Sequence, residues 1–277
     1  MGASFGGISV TWTGDAMKIL FAASLAGLAL MSGSVLAADL PPAPQVYKAP
    51  AAMAPVYNWT GCYLEGGGGF GLYNQESYSE TTAGLVPIGT RVTNGGRGWL
   101  GRVGGGCDYQ VAPIFRGALV IGAFGEYDFM NLHGTYSDPS GPVTANEKES
   151  SAWYAGGRIG YAVNPGFLTY FDGGYTQTHF NQMNFNTAFG TPTGVGIAAT
   201  NYNGWFLGGG TDTSLADLLP GLPTGLFLRS EYRYSTYTAK DDPVLVTATG
   251  APFGVSEHVQ KFVQTITTSL IWKFNWH

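Results

Sequence analysis

Charge is scarce in this sequence: Asp, Glu, Lys and Arg make up only 11% of its 277 residues, with a net charge of -5. No basic stripe is present, which argues against a nucleic-acid partner. Cysteine is scarcer still, with Cys62 and Cys107 alone. They form no CxxC pair and no Cys/His cluster at ligand spacing, so neither a metal nor a cofactor is expected. The four histidines, His133, His179, His258 and His277, all fall near expected connections or the terminus. No local Ser/His arrangement for nucleophilic catalysis stands out, so the chain does not read as an enzyme. Long helical periodicity is also missing after residue 58.

What is present is glycine, at 43 residues, and aromatic side chains, at 14%. A disordered chain would lack the aromatics. Low charge with many rings and glycines suits a sheet that turns one face to lipid. The N-terminal part reads differently. Met17-Lys18 precedes the apolar run Ile19 to Met31, then small residues ending Ser34-Val35-Leu36-Ala37-Ala38. A charged start, a short apolar stretch and a small-residue cleavage site make residues 1–37 a secretory signal peptide. The run is too short for a spanning helix, which takes about 20 residues. Residues 1–16 contain no Lys or Arg, so translation is expected to start at Met17. Residues 38–58 are rich in Pro and Ala and read as an extended linker. The folded domain is expected over 59–277.

From Trp59 onward, segments of period-two alternation recur near 60–73, 96–110, 118–129, 151–164, 167–179, 203–213, 226–237 and 259–274. About eight strands, an even number, predict an all-β fold: a closed antiparallel up-and-down transmembrane β-barrel. The connections near 74–95, 130–150, 180–202 and 238–258 are long and polar. Those near 111–117, 165–166 and 214–225 are shorter. Long loops on one side and short turns on the other orient an outer-membrane barrel with its long loops outside the cell. Asn164-Pro165-Gly166 has the residues of a tight turn.

The alternation assigns faces. Glu65, Arg102, Asp108, Glu126, Asp128, Arg158, Asp172, Asp212, Arg229, Glu231, Arg233, Lys261 and Lys273 fall on one parity, which must point inward. A charge at mid-membrane on the lipid face costs about 2–4 kcal/mol. Acid and base nearly balance there, so a salt-bridged network that holds the lumen in register is expected, with a narrow charged pore as the alternative. Trp99, Trp153 and Trp205 open even-numbered strands on the outward face and should mark one membrane boundary. Tyr109, Tyr161, Phe167, Trp272 and Phe274 should mark the other. Pairing residue 73 with 96 would set Cys62 opposite Cys107, where a disulfide is possible and two inert thiols are the alternative. The runs Gly66-Gly67-Gly68-Gly69 and Gly208-Gly209-Gly210 are followed by no helix. They suit bent sheet positions better than a phosphate cradle.

Three stretches carry a resemblance. Tyr57-Asn58-Trp59-Thr60-Gly61-Cys62-Tyr63-Leu64, Leu228-Arg229-Ser230-Glu231-Tyr232-Arg233-Tyr234 and Leu270-Ile271-Trp272-Lys273-Phe274 resemble the small outer-membrane β-barrel family of alphaproteobacteria, related in architecture to opacity-type surface barrels. The likeness runs over 38–274. It implies an abundant, sometimes porin-like surface protein, inserted by the outer-membrane assembly machinery. The family typically ends in an aromatic insertion signal, whereas here Asn275-Trp276-His277 follow Phe274. The expected function is that of an outer-membrane surface protein serving envelope structure and surface contact. Its partners would be outer-membrane lipids and an external ligand or host surface met by the loops. A narrow porin for small solutes is the alternative, and a membrane-embedded lipid hydrolase a more distant one.

Overall fold

The computed structural model describes residues 58–114, 117–138 and 141–275. The expected signal segment and all of the Pro/Ala-rich segment but Asn58 lie outside the described residues, as does His277. Eleven strands follow in order: β1 (Gly61–Thr81), β2 (Pro87–Ile114), β3 (Gly117–Ser137), β4 (Val143–Asn164), β5 (Phe167–Phe180), β6 (Met183–Thr187), β7 (Pro192–Ile197), β8 (Thr200–Ser214), β9 (Leu226–Tyr237), β10 (Lys240–Val246) and β11 (Pro252–Asn275). A single helical turn, α1 (Leu215–Leu218), lies between β8 and β9.

Pairing runs β1-β2-β3-β4-β5-β8-β9-β11, and β11 returns to β1. Eight antiparallel strands therefore close on themselves, leaving no free edge in this ring. Each expected segment lies on one of these strands, with only residue 60 falling outside, while β1, β2, β3, β4 and β11 extend well beyond the expected ends. The register sets Tyr73 opposite Gly96 and Cys62 opposite Cys107. At the turn between β4 and β5, the Asn164 side chain accepts a hydrogen bond from the Gly166 amide at 2.9 Å.

The long connections differ from expectation. They are not polar loops but continue the sheet. β1, β2, β3, β4 and β11 run on past the first ring. β6 pairs with β4, β7 with β6, β10 with β7, and β11 with β10. The order β1-β2-β3-β4-β6-β7-β10-β11 closes a second ring of eight, stacked on the first, in which β6, β7 and β10 take the places of β5, β8 and β9. The residues explain it. Met183, Phe185, Ile197 and Val244 supply inward apolar side chains and pack with Tyr136 and Ala145 into a cluster of their own. The alternation of these short strands is hidden in sequence by the polar residues around them.

The two rings are patterned differently. In the first, ions point inward and apolar side chains outward: Val103, Ile121, Ile159, Leu228, Ile266 and Leu270 are all exposed. In the second, the apolar cluster is inside and Glu76, Arg91, Asn184 and Asp241 are outside. The change falls next to Trp99, Trp153 and Trp205, which point outward. Tyr109, Trp272 and Phe274 point outward near the other end, where Tyr161 and Phe167 are half-buried. An apolar exterior belongs in hydrocarbon and a polar one in water. The first ring is thus the membrane-facing part, and the second stands clear of the bilayer.

Some glycines are required by close approach. A Cβ on Gly69 would lie 1.9 Å from the carbonyl oxygen of Ile266 on the neighbouring strand. Strand packing, rather than a phosphate cradle, accounts for that run.

Cysteines introduced at Val103, Ile121 and Ile159 are expected to react with a lipid-soluble maleimide in proteoliposomes, and those at Arg102, Glu126 and Arg158 to stay unmodified. Labelling on the second set instead would reverse the assignment of faces.

Candidate functional site

The interior of the first ring is the most chemically loaded part of the chain. All seven acids and six bases assigned inward from the alternation are buried, none more than 6% exposed. Proceeding from the short-turn end, Trp59 forms the floor. Its ring packs on Phe227 at 5.1 Å between centroids, and the Lys273 ammonium sits 4.3 Å over it. Lys273 pairs with Asp108 at 2.7 Å. Above this, Arg158 takes Asp108 in two-point fashion and also reaches Asp212 at 3.3 Å. Arg229 holds Asp212 with both Nε and Nη2, at 2.8 and 3.0 Å, and Glu65 with Nη1 at 2.9 Å. The rings of Tyr63 and Tyr170 lie within 5.2 Å of both guanidinium carbons.

The next layer is built on two more arginines. Arg102 grips Asp128 at 2.7 and 2.9 Å and donates to Glu231 at 2.6 Å. Arg233 donates to Glu126 at 2.7 Å and to Asp172 at 2.8 Å, and pairs with Glu231 at 2.7 Å. Phe206 and Tyr154 flank its guanidinium at 4.5 and 4.6 Å. A planar fork with five donors suits this multi-acid coordination in a way that a point-like ammonium does not. Higher still, Lys261 pairs with Glu147 at 2.6 Å, donates to Gln75, and lies 4.0 Å over Phe180.

Interior glycines make the longer bridges fit. Asp108 and Arg158 lie on β2 and β4, both opposite Gly122 of β3. A Cβ on Gly122 would come within 2.3 Å of the Asp108 carboxylate. The same holds for Asp172 of β5 and Arg233 of β9, which meet across Gly208 of β8, where a Cβ would lie 2.4 Å from Asp172. Tyr170 of β5 donates to Glu231 of β9 at 2.9 Å across Gly210. At these three places the strand between carries no side chain, which leaves room for the contact.

Sequence reasoning missed five buried acids: Glu80, on the outer face, and Glu147, Glu149, Asp242 and Glu257 in the interior, all within segments expected to be polar connections. A bulge at Ser150 reverses the parity of β4, so that Glu147 and Glu149 face inward together with Arg158. The interior is therefore not balanced throughout: it turns acidic toward the second ring. Glu149 accepts from Thr178 at 2.6 Å. Asp242 is met by the Tyr202 hydroxyl and by Lys240 at 3.3 Å. Glu257 accepts from Ser79 and Tyr136, at 2.6 and 2.8 Å. With hydroxyls as these partners, burial pushes the Glu257 carboxyl up to about 7. The expected Cys62 and Cys107 positions are joined as a disulfide, S–S 2.00 Å, on the outward side of β1 and β2. His133, His179 and His258 stand on strands rather than loops.

The family profile described as outer membrane protein beta-barrel domain matches residues 23–257. The chain belongs to that family. It is an outer-membrane protein, and in such barrels the long connections lie outside the cell, so the second ring is extracellular. No curated protein matches it in sequence. Among solved structures, it is similar to the outer membrane protease OmpT of Escherichia coli at 10% identity, covering 77% of this chain and 97% of that one with a TM-score of 0.44. It is also similar to OprG of Pseudomonas aeruginosa, at 12% identity, 78% and 97% coverage and a TM-score of 0.41. A third likeness is Ail, the attachment invasion locus protein of Yersinia pestis, at 11% identity, 74% and 97% coverage and a TM-score of 0.28.

Replacing Arg233 by Met would strand Asp172 and leave Glu126 and Glu231 to Arg102, a loss of about 3–5 kcal/mol for breaking a buried pair. Crowding the bridge with G208A should cost less, about 1–3 kcal/mol. Urea midpoints of the refolded protein in detergent check both, and unchanged midpoints would mean that the ions do not stabilise the barrel.

Proposed function

We propose that this protein is a closed surface barrel, of the alphaproteobacterial kind its strand motifs resemble, whose work is envelope structure and contact with the outside rather than passage of solutes. The observation that carries this reading is the inaccessibility of the lumen. A water-filled pore leaves its lining exposed, as in wide barrels. Here Arg102, Arg229, Arg233 and Lys261, the very groups that would line a pore, are each 1% exposed. Trp59 lies across one end of the lumen and the Tyr136–Phe185 cluster fills the other. In a barrel of eight strands, side chains are enough to fill the interior.

The part offered to partners is the extracellular ring and its tips. At the tips Phe189, Leu85, Val86 and Phe253 are exposed, Phe189 almost wholly. Exposed apolar residues beyond the membrane suit contact with another surface. Outer-membrane lipids would surround the first ring, with the Trp99, Trp153 and Trp205 belt at the outer interface and the Tyr109, Tyr161, Phe167, Trp272 and Phe274 belt at the inner one. The thirteen lumen charges would serve as internal struts, and the outer-membrane assembly machinery would insert the barrel. No reaction or cofactor is assigned to it.

Planar-bilayer recording of the purified, refolded protein tests the reading. We expect no stable single-channel steps. Reproducible steps whose ion selectivity changes with R229E or R233E would instead make the protein a narrow porin.

A further inference from the structure

Three residues distant in sequence meet on the outer face of the extracellular ring: Glu80 of β1, Asp241 of β10 and His258 of β11. The strand β11 runs between the other two. His258 stands opposite both Tyr78 and Asp241, and Glu80 one step along, opposite Ser256. One donor atom from each of the three residues lies within 4.8 Å of the other two. His258 Nδ1 faces Asp241 Oδ1 at hydrogen-bonding distance. The imidazole is held from the side by Tyr78, whose ring stacks on it at 4.8 Å and 24°.

Carboxylates gather on many protein surfaces with nothing bound, so proximity alone decides little. The state of Glu80 is the second observation. Its residue is only 3% exposed, and its Oε1 has no hydrogen-bond partner. Asp241, the carboxylate beside it, can partner it only through a shared proton, and a buried carboxylate with no cation is unfavourable. The two nearby bases are engaged elsewhere: Lys240 with Asp242 and Thr200, Arg91 with Glu76 and the face of Tyr78. A small cation among the three donor atoms would take the place of that proton and neutralise the two acids.

We propose that Glu80, Asp241 and His258 form a binding site for a divalent first-row transition ion, with Zn2+ the best match. Neutral imidazole with two carboxylates is a donor set for such ions, whereas Ca2+ and Mg2+ prefer oxygen ligands alone. Three protein ligands leave a coordination position open to water or to a group from a partner. The ion would also tie together β1, β11 and β10, and β10 belongs to the extracellular ring alone.

The test is calorimetric titration of Zn2+ into the full chain, refolded in detergent and stripped with a chelator. We expect one saturable equivalent. H258Q and E80Q should each weaken it at least tenfold, and the H133Q/H179Q double variant should leave it unchanged. Slower gel migration after heating, a mark of a folded barrel, checks that every variant is assembled. D241N serves as the replacement if E80Q does not assemble. Absence of saturable binding would overturn the proposal and leave a shared proton as the link between the two acids. Equal binding by the wild type and H258Q would overturn it as well.

Discussion

Every charge in the barrel must find its opposite without help from water. That requirement governs the first ring. Four arginines and two lysines stand among more acids than they can meet singly, so each guanidinium is shared: Arg233 among Glu126, Asp172 and Glu231, Arg102 between Asp128 and Glu231. Sharing requires reach across strands, and for Asp108–Arg158 and Asp172–Arg233 that reach passes over Gly122 and Gly208, where a Cβ would crowd the carboxylate. The aromatic rings of Tyr63, Tyr170, Tyr154 and Phe206 then occupy the space between guanidinium planes. Charge, glycine and aromatic content, which look unrelated in the composition, are three parts of one packing solution.

The same sheet serves two solvents. Along β1 and β11 the inner face changes from ions to a mixture of hydroxyls, acids and apolar groups, while the outer face changes from lipid-compatible to polar. Backbone pairing is continuous through this change, because closure satisfies the peptide groups whatever lies outside. Toward and within the second ring, Glu149, Asp242 and Glu257 are met by the hydroxyls of Thr178, Tyr202, Ser79 and Tyr136. Where the arginine network stops, hydroxyls take over the role of donor.

The strands, faces and register of the first ring were legible in the sequence for a simple reason. In a membrane barrel, the cost of a misplaced charge writes a strict period of two, so Arg229, Glu231 and Arg233 announce their parity without further information. Legibility failed where that penalty lapses. Outside the bilayer a polar residue is tolerated on either face, so β6, β7 and β10 resembled loops. At Ser150 a single bulge inverted the parity and concealed Glu147 and Glu149. Glu80, Asp241 and His258 share no spacing at all, since strand pairing across the second ring, not local pattern, brings them together.

Five strands, β1 to β4 and β11, pass unbroken from one ring into the other. The displayed platform is rooted in its anchor through continuous pleated backbone. A force applied at the cell surface would be transmitted as tension along those strands, with little opportunity for the platform to swivel. Whatever binds there is met at a fixed height and a fixed angle to the membrane plane.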